Sequence, residues 1–166
     1  MKSLLIVLWI AGILIMSGDS PPAYGDVKIL SANKRFSAVS DIKARHTRVF
    51  SVSTGKNRLL WEIAGYCPSM FLSDNGSHLV VGQAEGNLLP ADVKPEHQFL
   101  SFYATGKLIR SVQVGEVFPD LSKLPKSSSH LVWGNFSGFD RKGRFAIILF
   151  DGRQVAYDPS SGRLQR

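Results

Sequence analysis

Alternating apolar and polar positions enter and leave tight turns at several places along this chain of 166 residues. From Thr47 to Ile63 the run TRVFSVS leads into the turn Ser53-Thr54-Gly55-Lys56, and a second apolar run, Leu59 to Ile63, leaves it. Side chains alternate between the two faces of a strand, so this pattern predicts a β-hairpin. The segment Gln98 to Val112 repeats the order of parts around Thr105-Gly106-Lys107. Arg153 to Gln165 repeats it again around Ser161-Gly162-Arg163. A related strand, opened by a polar turn, precedes each hairpin: Asn33 to Val39, Asn75 to Val81 and Lys142 to Ile148.

The remaining stretches fill in around these units. Val27 to Leu30, Ser69 to Leu72 and His130 to Trp133 read as short strands, and Tyr66-Cys67-Pro68 as a break. Asp74-Asn75-Gly76 and Asp140 to Gly143 read as turns, and Asp151-Gly152 as a type I′ hairpin turn. Ser40 to His46, Gly82 to His97 and Gly115 to Ser129 lack periodicity and read as loops, the last two rich in proline. After residue 25 no apolar spacing of helical period is sustained over three turns. The pattern predicts an all-β fold of about three antiparallel, blade-like sheets.

Residues 1–25 stand apart. Lys2 precedes the apolar run Leu4 to Met16, and Ala23-Tyr24-Gly25 places small residues where a signal peptidase would cut. The run is short for a bilayer, which takes about 20 apolar residues. The expectation is a signal peptide, removed near Gly25, ahead of a single domain over 26–166. The alternative is an anchor retained over residues 4–16. An exported chain meets an oxidising compartment, yet Cys67 is its only cysteine. No internal disulfide can form, and a small buried side chain is the expected role.

Charge is uneven. Residues 26–58 carry eight Lys/Arg against two acids, 59–140 five against eight, and 141–166 six against two. If the ends of the chain meet in the fold, they make one basic region able to attract an anionic glycan or lipid surface. The candidate attractor is Lys34, Arg35, Lys43, Arg45 and Arg48, weighed against ordinary solvated side chains. No specific nucleic acid is implied.

A period in the forties with several short strands per unit marks propeller blades. Asp74 to Val81 resembles the inner strand of quinoprotein-dehydrogenase (PQQ-like) and WD-repeat-like blades. Thr54-Gly55-Lys56 followed by Trp61 is similar to the blade-ending turn of the quinoprotein kind, whose tryptophan docks between neighbouring blades. Asp158 to Gly162 resembles another form of that turn. Trp61 falls two residues later than the family spacing, and the other copies have no tryptophan there, so no quinone site carries over. The resemblance implies a partial or open propeller-like arrangement. Closed propellers typically have four to eight blades, so three leave two open edges, which a homodimer or another partner could cover.

Chemistry is sparse. His46, His78, His97 and His130 lack metal-ligand spacing and read as loop residues and strand ends. Gly134 to Gly138 does not fit a nucleophile elbow. Asp74, Asp140, Asp151 and Asp158 fall at predicted turns, where a carboxylate can bond its own backbone. No catalytic, metal or cofactor residue is assigned. Trp133 and Phe136 are weighed as an exposed binding platform against a lid over the core. The loops Gly82 to His97 and Gly115 to Ser129 are candidate contact loops, since variable connections of a repeat often share its binding face. The reading is an exported binding or interaction module. The alternatives are a hydrolase-type enzyme with a pocket at the repeat axis, or a structural subunit completing a partner's sheet.

Overall fold

A computed structural model describes residues 25–54, 56–84 and 86–165. The signal-peptide reading falls on residues that lie outside them, apart from Gly25. Three four-stranded antiparallel sheets follow one another, each a simple meander. The first holds β1 (Val27–Leu30), β2 (Phe36–Asp41), β3 (His46–Ser53) and β4 (Lys56–Ala64). The second holds β5 (Met70–Leu72), β6 (His78–Gly82), β8 (Gln98–Ala104) and β9 (Lys107–Gln113). The third holds β11 (Gly134–Phe139), β12 (Phe145–Leu149), β13 (Gln154–Asp158) and β14 (Arg163–Gln165). We call these sheets blades 1, 2 and 3. The fold is all-β, as the periodicity predicts.

The register reveals a row that recurs in every blade. Leu30, Ser37, Phe50 and Leu59 stand opposite one another across blade 1. Leu72, Leu79, Tyr103 and Leu108 do so in blade 2, and Phe139, Phe145, Tyr157 and Leu164 in blade 3. Because faces alternate, this row and its parallels point toward the preceding blade. Leu79 and Val81 accordingly join Ala38 and Val49 of blade 1 in one core cluster. Val80, on the opposite face, joins Phe102, Phe145, Ile147 and Tyr157 in the other.

The turn that opens each middle strand is built alike in blades 1 and 2. The amides of Ser31 and Ser73 donate to the carbonyls of Phe36 and His78, whose amides donate back to the serine Oγ. Asn33 and Asn75 accept from the amides of Arg35 and Ser77. In blade 3 one carboxylate does both jobs. Asp140 Oδ1 accepts from the amides of Lys142 and Arg144, and the loop is one residue shorter. Phe145 therefore occupies the place of Ser37 and Leu79. This corrects the sequence alignment, which set Phe145 beside Phe36 and His78.

The structure also adds a strand and corrects a turn. Gly134–Phe139 is a strand, although glycine, asparagine and serine hide its pattern. A Cβ on Gly134 would lie 2.0 Å from the carbonyl oxygen of Ile148, so only glycine fits there. Asp151-Gly152 is not a type I′ turn. Gly152 alone has positive φ, and residues 150–153 form a longer loop closed by the Gly152 amide on the Leu149 carbonyl.

The two proline-rich loops are also less irregular than their composition suggests. Inside the first, β7 (Leu88–Pro90) pairs with β10 (His130–Val132), the strand expected after the second, and a one-turn helix, α1 (Val114–Val117), follows β9. Ala84, Leu89, Phe118, Leu124 and Leu131 bury themselves in the larger core cluster. The loops form a cap over blades 2 and 3, so most of their apolar side chains are already spent. No described helix is long and apolar enough to cross a membrane.

Candidate functional site

A meander alternates its connections between two ends, and neighbouring blades share these ends. At one end the turns opening β2 and β6 touch directly, Asn33 donating to Asp74 through its amide (2.8 Å) and its side chain (2.7 Å). The Thr105 amide, in the last turn of blade 2, bonds the Ser77 carbonyl at the same end. At the other end, Trp133 accepts from the Phe150 amide and donates to the Asn87 carbonyl, linking the connections of blades 2 and 3. We call these the turn end and the cap end.

The turn end holds a groove of about 830 Å³ between blades 2 and 3. Its walls include Asn75 and His78 of blade 2, and Phe139, Arg141, Arg144 and Asp158 of blade 3. Its carboxylates are engaged. Asp140 bonds the Arg144 guanidinium at 2.7 and 2.8 Å. Although burial works to raise its carboxyl, the bonds from Arg144 and Lys142 hold it below the usual range. Asp158 accepts from the hydroxyl and amide of Ser160 and the hydroxyl of Ser161, which also keep its carboxyl low. Burial lowers the His78 imidazole, opposed by the charge of Asp158. Asp140, Asp151 and Asp158 thus cap their own turns, as sequence reasoning expects, whereas Asp74 serves the neighbouring blade. Among the described residues no group of three His, Cys, Asp or Glu side chains could hold a metal ion.

The basic cluster does not assemble as five residues. Lys34 and Arg35 lie at the turn end of β2, while Lys43 and Arg45 lie at its cap end. Six residues of strand separate them, about 20 Å. Arg48 lies between, on β3, where it faces Glu62 at 3.4 Å. The structure instead gathers Lys34 and Arg35 at the same end as Arg141, Lys142 and Arg144. Sequence reasoning foresees one basic region if the two ends of the chain meet, but not which residues share it, because they belong to blades far apart in the chain.

Trp133 is fully buried and stacks edge-on against Phe99, with ring centroids 4.9 Å apart. Phe136 packs on Trp133 (4.5 Å), Phe71 and Phe99. The platform reading fails for Trp133, since no face of its ring is free. Trp133 belongs to the core, and the half-buried Phe136 packs against it.

A second, smaller hollow of about 350 Å³ lies in the cap, among Val93, Leu121, Leu124 and Leu131. It presents mainly side chains that pack the cap itself.

No protein-family model matches the chain, and no curated protein matches it. Among solved structures the chain is similar to the periplasmic gluconolactonase PpgL of Pseudomonas aeruginosa, with 21% identity, a TM-score of 0.43 and 89% of this chain covered. The chain spans 39% of the length of that protein. The fold described above rests on strand pairing.

Proposed function

We propose that the protein is a binding module, expected to be exported, whose docking element is the outward face of blade 1. One comparison carries this reading. Leu30 is 49% exposed, whereas its counterpart Leu72 is 5% exposed beneath blade 1. Val39 repeats the contrast, being half-buried where Val81 is buried. In blades 2 and 3 this face receives a preceding sheet, and in blade 1 it receives none among the described residues. The outward face of blade 3 receives no sheet among these residues either, and presents the exposed Ile148 beside the half-buried Ala156, with Ala146 buried between the strands. A second copy stacked head to tail brings these two faces together, and a ring closes if the rotation between copies permits.

The hydrolase alternative has less support, because the groove carboxylates are committed to turns and to Arg144. Light scattering over a range of concentrations tests the docking reading. Self-association abolished by Leu30→Lys is the expected result. A monomer at every concentration contradicts head-to-tail docking.

A further inference from the structure

We infer that the turn end is a binding site for an acidic polysaccharide, with the groove between blades 2 and 3 at its centre. The inference stands on charge and geometry separate from the docking face of blade 1.

The turns before the middle strands bring Lys34, Arg35, Arg141, Lys142 and Arg144 to this end. The last turn of each blade adds one more cation: Lys56, Lys107 and Arg163. Against them stand three carboxylates, Asp74, Asp140 and Asp158. The cap end has no such excess. There Lys43, Arg45, Lys94, Lys123, Lys126 and Arg153 are balanced by Asp26, Asp41, Asp92, Glu96, Asp120 and Asp151. The net positive charge of the chain is therefore concentrated at one end of the blade stack.

What is free at the turn end decides the ligand. Both carboxylate oxygens of Asp140 and Asp158, and Oδ1 of Asp74, accept hydrogen bonds from the fold. The side chains of Arg141 and Lys142 are exposed and form no hydrogen bond or ion pair within the described residues. The wall thus offers free donors and engaged acceptors, which favours an anion over a cation.

Shape and polarity favour a glycan over a bilayer. The groove is concave, and its lining mixes these cations with the side chains of Asn75, Ser160 and Gln165, able to bond hydroxyl groups. A membrane-surface site gains from apolar side chains at its tips. Here the turns before the middle strands carry Asn33, Lys34, Asp74, Asn75, Arg141 and Lys142. Of the large exposed apolar side chains, Leu30, Leu108 and Leu164 border the turns of this end but lie within strands, as do Leu59, Ile109 and Ile148, and Phe150 lies at the cap end.

Titration of the full chain with polygalacturonate, neutral dextran and anionic phosphatidylglycerol vesicles tests the proposal. The expected result is binding to polygalacturonate that weakens with added salt, and none to dextran. The double substitution Arg141→Gln, Lys142→Gln should weaken it at least tenfold, while Lys43→Gln, Lys94→Gln at the cap end should change it less than twofold. Equal losses from the two pairs would reduce the effect to net charge and overturn the site. Absence of binding to polygalacturonate, or tighter binding to the vesicles, would overturn the ligand class. Oligomeric state, read in the same samples, keeps these outcomes apart from those of the docking proposal.

Discussion

The indole Nε1 of Trp61, on the last strand of blade 1, donates a 2.9 Å hydrogen bond to the carbonyl of Gly76, in the first turn of blade 2. Trp61 follows a register shift in β4 between the partners of Val49 and Phe50, which turns the side chain toward the next blade. Gly76 has φ +69, and a Cβ there would meet the Phe36 ring at 2.3 Å. Blades 1 and 2 are therefore joined by this polar tie and by the two Asn33–Asp74 bonds, set among apolar contacts.

Trp61→Phe keeps most of the packing but leaves the Gly76 carbonyl without this donor. The expected loss is about 1 kcal/mol, the usual net worth of such a bond. Urea unfolding of the two proteins checks it.

Glycines in the last turns dock onto the preceding blade. A Cβ on Gly162 would lie 2.7 Å from Cβ of Arg110, whereas one on Gly143 would meet nothing within 4 Å, and both have positive φ. Gly143→Ala should cost about 1 kcal/mol, from backbone strain alone. Gly162→Ala should cost about 2 kcal/mol more, because strand β9 must also give way. Thermal unfolding of the pair separates the two effects.

Cys67 is 6% exposed, and burial pushes its thiol up. It should react with an aromatic disulfide reagent only as the chain unfolds, so that the reaction follows the urea transition. Rapid native-state labelling would contradict the packing role.

Two groups give stability opposite pH dependences. The Asp158 carboxyl is held low in the fold by Ser160, so its contribution is present above about pH 4 and fades as pH falls through the lowered value. Burial, with the Glu116 charge adding, pushes the Tyr157 hydroxyl up to about 12. Its contribution is complete below about pH 10, the value of the unfolded chain, and is lost as pH rises toward 12. Asp158→Asn should flatten the acid limb of stability against pH, and Tyr157→Phe the alkaline limb.

The hairpins around Thr54-Gly55-Lys56, Thr105-Gly106-Lys107 and Ser161-Gly162-Arg163 are legible in sequence because turn residues and alternation coincide there. The strand Gly134–Phe139 is not, since its glycines answer to a close approach by β12. A four-strand period would have pointed to it, as Val27–Leu30 and Met70–Leu72 hold the same place in their blades. The alignment of Phe145 slips by one residue because Asp140 replaces a serine–asparagine pair in a shorter turn. Trp133 looks available beside Gly134 in the sequence, yet the cap closes over it. The turn-end cations are separated by a hundred residues and meet only through the stacking of blades.

Head-to-tail docking through the open faces is the claim that most needs a direct measurement. Leu30→Lys disables one face and Ile148→Lys the other, so each variant alone should be monomeric. An equimolar mixture retains one intact pair of faces, and native mass spectrometry of that mixture should show a heterodimer. A mixture that remains monomeric, or single variants that associate as well as the unaltered chain, would contradict the account.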